Sequence, residues 1–147
     1  MTPSSESARV AAELEIRNVL ALLAQLADSG STSDYLALLT DDIVWAMPAN
    51  PAMDLPASER HGHDEIAAGQ RDRLAAGVQG PGSNTMHTVT TTSIEFSSDA
   101  DAVARSSFVF WTSTSSSPTA TSMGRYVDTF VFVGSRWKLA RREITFG

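Results

Sequence analysis

Apolar positions along the chain follow a helical period first and an extended one later. From Ser7 to Asp28 they recur at three- and four-residue spacing, with Leu20, Leu23, Ala24, Ala27 and Asp28 on one stripe. Asp28 thus continues an apolar face, and Gly30 behind it is a helix stop. Met1 to Ser7 is a polar start expected to fray. After a loop at residues 31–33, Ser33 can cap a second, short helix running through Leu39, with Asp34 in its first turn. Ile43-Val44-Trp45-Ala46-Met47 has the composition of a strand. Pro48, Pro51 and Pro56 then exclude a regular element up to Arg60. Met53 and Leu55 lie in that segment, so it is expected to be a packed plug or a lid over an apolar cavity. A third helix, about Asp64 to Ala76, opens on acidic residues that suit the positive end of a helix dipole. Ile66, Ala67, Gln70 and Leu74 share its stripe, and residues 77–83 form a glycine-rich loop.

The rest of the chain is extended. Asn84–Phe96 is the longest β-branched run, and β-branched side chains pack well on a pleated surface. Ala102–Thr112, Met123–Val133 and Arg136–Thr145 complete a four-strand meander, with a tight turn at Gly134-Ser135. Helices gathered ahead of antiparallel strands predict an α+β fold. Phe108-Val109-Phe110-Trp111 and Phe130-Val131-Phe132-Val133 are apolar without alternation. A strand with one wet face alternates, so both faces are expected to be covered, one by the helices and the other by a second copy of the chain. A homodimer through the outer sheet face is the expectation.

Composition narrows the partners. A chain of 147 residues with 42% hydrophobic content is long enough for one domain, 1–147, with its own core. A net charge of −6 without a Lys/Arg cluster argues against nucleic acid or an anionic membrane as partner. The one basic pair, Arg141-Arg142, falls in a strand and points to opposite faces. The absence of cysteine excludes a disulfide framework, a thiolate metal site and a cysteine nucleophile. No apolar run approaches the roughly 18 residues of a membrane span, and no basic-then-apolar leader opens the chain. A cytoplasmic protein is expected. His61 and His63 lack a third ligand nearby, so no metal is expected.

Candidate chemistry centres on His87, the only histidine inside an expected regular element. Two readings stand beside each other: a half-buried strand histidine with satisfied hydrogen bonds, or a pocket histidine around which the other elements gather. Asp28, at the end of the first helix, is either a solvated residue of the helix stop or, if buried, an acid harder to ionise than a surface one. Trp45, Met47, Phe108, Phe110 and Trp111 are candidate walls for an apolar metabolite, though each can equally be core. Tyr126 and Asn84 are candidate hydrogen-bond donors to a substrate oxygen. Arg105, Arg125, Asp128 and Arg141 are expected to form cross-strand ion pairs on the outer or dimer face, with the alternative that one of them enters the pocket and holds an anionic group.

Several stretches in this order resemble a known family. They are Leu26-Ala27-Asp28; Asp34 through Trp45; Gly62-His63-Asp64-Glu65-Ile66; Met86-His87-Thr88-Val89-Thr90; Gly124-Arg125-Tyr126-Val127-Asp128; and Arg136 through Arg142. Together the sequence resembles the SnoaL-like (polyketide-cyclase-like) branch of the nuclear transport factor 2-like superfamily. The resemblance implies a cone: a curved mixed or antiparallel sheet wrapped around a long N-terminal helix, an apolar pocket inside, and frequent dimerisation. It also implies catalytic positions at Asp28 and His87, which match the acid and histidine of the dehydratase-like members. Those members add a tyrosine beside the acid, where this chain has Ala27 and Ser29, and a second histidine, where it has Met123-Gly124-Arg125. The function implied is a cofactor-free lyase, isomerase or cyclase acting on an oxygenated apolar metabolite. The alternative is a non-catalytic ligand-binding or accessory domain.

Overall fold

The structure is a computed structural model that describes residues 3–147, without the side chains of residues 3, 4 and 53. It is α+β. Helix α1 (Pro3–Ser29) and helix α2 (Thr32–Ala37) precede strand β1 (Leu39–Met47). A 3₁₀ turn (Pro51–Met53), strand β2 (Ser58–His61) and helix α3 (Gly62–Ala75) follow. The meander β3 (Met86–Phe96), β4 (Asp101–Thr112), β5 (Thr119–Val133) and β6 (Arg136–Phe146) ends the chain. The six strands make one curved, unclosed sheet in the order β2-β1-β6-β5-β4-β3. All neighbours are antiparallel except β1 and β6, so the sheet is mixed.

Several boundaries differ from expectation. The first helix begins before Ser7: α1 starts at Pro3, and a proline suits a first turn whose N–H groups have no intrahelical partner. Residues 1–2 lie outside the described residues. The second helix is capped from Ser31, whose hydroxyl donates to Asp34 (2.6 Å), and it ends before Leu39, which already belongs to β1. The proline segment does hold a regular element. β2 pairs with β1 as an edge strand after the last proline, where no missing N–H interrupts the ladder. β1 starts at Leu39 rather than Ile43, β3 at Met86 rather than Asn84 and β5 at Thr119 rather than Met123, whereas two turns match expectation. Gly30 takes φ +78 and Gly30 and Ser31 bond back to the Leu26 carbonyl, closing α1. Gly134 and Ser135 both take positive φ, the geometry of a two-residue hairpin turn.

The core lies between α1 and the concave sheet face. Ile16, Val19, Leu20 and Leu23 of α1 pack with Leu39, Ile43, Ala102, Ala104, Phe130, Trp137 and Leu139. A second, smaller cluster of Phe108, Tyr126 and Ile144 sits further along the same face, with Trp45, Met47, Val89 and Phe146 around it. Helix α1 does not cover this second cluster closely, and a cavity of about 370 Å³ opens there.

Candidate active site

The cavity is walled by Leu20, Leu23, Ala24 and Ala27 of α1 and floored by the second cluster. Its volume falls within the range of small-molecule sites. The apolar stripe that α1 carries toward its C-terminal end is therefore cavity wall as well as core.

Asp28 continues that stripe, and the chain stops being helical two residues later, so its carboxylate meets the first residues of β3. The His87 backbone N–H donates to both carboxylate oxygens (3.2 and 3.0 Å), and the ring Nδ1 lies 2.7 Å from Oδ1. A carboxylate only accepts, so Nδ1 carries the proton in this contact and Nε2 is left as the free nitrogen of the neutral ring. No described residue hydrogen-bonds Nε2. The side chains are 19% and 20% exposed, so the hydrogen bond is largely shielded from water. His87 lines the cavity and Asp28 stands behind it. The ring also leans on Phe110 (centroids 4.9 Å apart), which fixes the other side of the imidazole.

Of the expected wall residues, Trp45, Met47, Phe108, Phe110 and Tyr126 line the cavity. Trp111 does not. It follows Phe110 in β4 and so points to the other face, where its indole N–H donates to Thr88 Oγ1 (3.0 Å). Asn84 does not either. It precedes β3 with φ +55, and its carbonyl accepts the Thr114 N–H (3.1 Å), so it shapes the loop that leads into the strand.

Tyr126 lies between the neighbouring strands' side chains. Phe108 stacks on it (4.5 Å, 13°), and the Arg142 guanidinium sits 3.8 Å from its ring centroid. Burial pushes its phenol well above the ordinary tyrosine range, so the hydroxyl keeps its proton. Neither Tyr126 nor Tyr35, also on the wall, bonds its hydroxyl to another described residue. Both are available to a ligand oxygen.

Arg142 and Asp128 were not expected here. Asp128 is fully buried and takes a two-point contact from Arg142 (2.8 and 2.9 Å). Burial works against the Arg142 cation, but the Asp128 charge and hydrogen bonds outweigh it and hold the guanidinium above its usual range. Burial pushes Asp128 up while Arg142 pulls it down; the two-point geometry is that of an ion pair. So Asp128 belongs to the inner face, not the outer one. The other three arginines placed with it do face outward: Arg105 meets Glu95, Arg141 meets Glu143, and Arg125 donates to the Gly147 carbonyl. Tyr35, Arg60, Gln70, Asp72, Arg73 and Gln79 also stand on the polar part of the wall and were unforeseen there. Among the described residues no group of three metal-ligating side chains occurs.

This fold and cavity belong to a family that can be named. The chain belongs to the SnoaL-like domain family, whose model matches residues 8–143. Solved structures with the same fold include a scytalone dehydratase-like protein from Novosphingobium aromaticivorans (19% identity, 97% of this chain and 88% of that one, TM-score 0.76). Another is a nuclear transport factor 2-like protein with a cystatin-like fold from the same organism (21%, 97% and 86%, TM-score 0.79). A third is LinA (13%, 97% and 90%, TM-score 0.78). At such identities the likeness is one of fold. No curated protein matches the chain in sequence.

Proposed function

We propose that the protein is a cofactor-free enzyme of lyase, isomerase or cyclase type, acting on an apolar, oxygenated small molecule held in the cavity. The observation that carries this is the His87 ring: Nδ1 is occupied by Asp28, Nε2 is unbonded, and the ring lies on the wall of an apolar cavity. Nε2 accepts a proton from a carbon next to a substrate carbonyl. Asp28 stabilises the imidazolium that forms and holds the ring in one tautomer. The same nitrogen then returns the proton, to a departing hydroxyl in an elimination or to another carbon in an isomerisation. Tyr126 or Tyr35 donates a hydrogen bond to the carbonyl oxygen as charge builds there. His87 is thus the catalytic residue and Asp28 positions it. The likeness in fold to a scytalone dehydratase-like protein supports dehydration as one outcome of this chemistry.

The test is exchange of ketone α-protons in D₂O, followed by NMR over a panel of apolar hydroxyketones. His87→Ala is expected to lower the rate by about 10²–10⁴-fold, the usual contribution of a general acid–base. Asp28→Asn is expected to lower it less. Unchanged rates in both variants would overturn the mechanism and leave a ligand-binding domain without chemistry.

We also propose that the protein works as a homodimer through the outer sheet face. Val103, Val109, Trp111, Val127 and Val131 lie only half-buried there, a β-branched and aromatic surface with an apolar partner's character.

A further inference from the structure

We propose that Arg60 and Arg73 form an anion subsite in the cavity, so that the molecule bound there carries a carboxylate. This rests on the reading of the cavity as a small-molecule site. Three arginines line that cavity, and only one is neutralised: Arg142, by Asp128. Arg60 has no carboxylate within ion-pair distance. Its one side-chain hydrogen bond runs from an N–H to the Glu65 carbonyl (3.3 Å), and its Nε is buried without a partner. Arg73 makes no hydrogen bond or ion pair and rests beside the Trp45 ring (5.7 Å). Asp72 also lines the cavity but pairs with neither arginine. A guanidinium offers five N–H donors in a planar fork that fits a carboxylate.

The surroundings are built around these groups. Gly69 sits inside α3, where a glycine weakens a helix. A Cβ at Gly69 would lie 2.7 Å from Arg60 Cζ, so the missing side chain is the space the guanidinium occupies. Desolvation by burial, the largest influence, lowers the Arg73 pKa; the Arg60 charge lowers it too, against the raising effect of Tyr35 and Asp72. Two like charges in an apolar cavity are unfavourable until an anion joins them. Their position is also ordered with respect to His87. Arg60 is on β2 and His87 on β3, the two opposite edges of the sheet, and curvature brings both edges to one cavity. The acidic group binds on the β2–α3 side while the reacting carbon faces β3.

The experiment is calorimetric titration of the whole protein with 1-naphthylacetate and with its neutral counterpart 1-naphthylacetamide. The wild type is expected to bind the acid about 10–100-fold more tightly than the amide. Arg73→Gln, at the end of a helix, and Arg60→Gln each reduce that preference, whereas His87→Ala retains it. Equal binding of the two probes, no saturable binding of the acid, or a preference that survives both arginine substitutions overturns the subsite. Because the readout is the preference of acid over amide rather than affinity itself, loss of turnover in His87→Ala with that preference intact separates this proposal from the proposed reaction.

Discussion

Arg141 and Arg142 are neighbours in the chain and share no environment. One lies outside, beside Glu143; the other is 5% exposed and bound to Asp128. A charged residue is ordinarily read as surface, which is why Asp128 was placed outside. The signal that corrects this is alternation: Asp128 lies two residues from both Tyr126 and Phe130, and all three are buried. The pairing of Asp28 with His87 was implied by the family resemblance, whereas Trp45, Met47, Phe108, Phe110 and Tyr126 could be reached from residue type in the strands. Arg60 and Arg73 could not, since their orientation depends on how α3 packs over β1 and β2. Tyr126 has a measurable consequence. Its folded pKa is raised, so it stays protonated where the unfolded phenol, at about 10, ionises. The unfolded state then binds fewer protons, and stability falls as pH rises above about 10. Urea denaturation from pH 8 to 11 is expected to show this loss, and Tyr126→Phe is expected to reduce it.

At the level of elements, three register shifts decide which side chains reach the cavity. In β3, Thr91 takes φ +51 and the inward set changes from His87 and Val89 to Ile94 and Phe96. In β6, Phe130 pairs with Leu139 but Thr129 with Arg141, so one extra residue exchanges faces between Leu139 and Arg142. A further shift lies where β4 meets β5, between Phe110 and Trp111. Each bulge bends its strand and adds twist, and together they curve the sheet around the cavity. Strand identity was legible in β-branched runs; bulges leave no comparable mark in composition, and they set the inward parity. Gly124 belongs to the same design. It faces Phe108 and Phe146 across the neighbouring strands, and a Cβ there would meet the Thr145 carbonyl and lie 2.9 Å from the Phe108 ring. Backbone cannot yield as a flexible side chain can. Gly124→Ala is expected to destabilise the protein by about 1–3 kcal/mol, the range for overpacking, as read from the denaturation midpoint. Gly69→Ala meets only the end of Arg60 and is expected to leave that midpoint nearly unchanged.

For the whole molecule, the α+β order and the long helix against a meander could be read from the switch of period alone. The parallel contact between β1 and β6 could not, because it joins segments far apart in the chain. No helix among the described residues is long and apolar enough to cross a membrane. The proposed dimer is checked by sedimentation: a species of twice the chain mass is expected at micromolar concentration, and a monomer there overturns it. Val127→Glu, at the middle of the outer face, is expected to shift the equilibrium toward monomer. One link joins the two ends of the architecture. The Asp28 carboxylate, at the end of α1, accepts the main-chain N–H of His87 near the start of an edge strand, across 59 positions of sequence. That amide would otherwise face outward with no strand to bond it. Its hydrogen–deuterium exchange is therefore a clock for the assembled site: slow while helix and strand are joined, fast when they part, and readable with no ligand known.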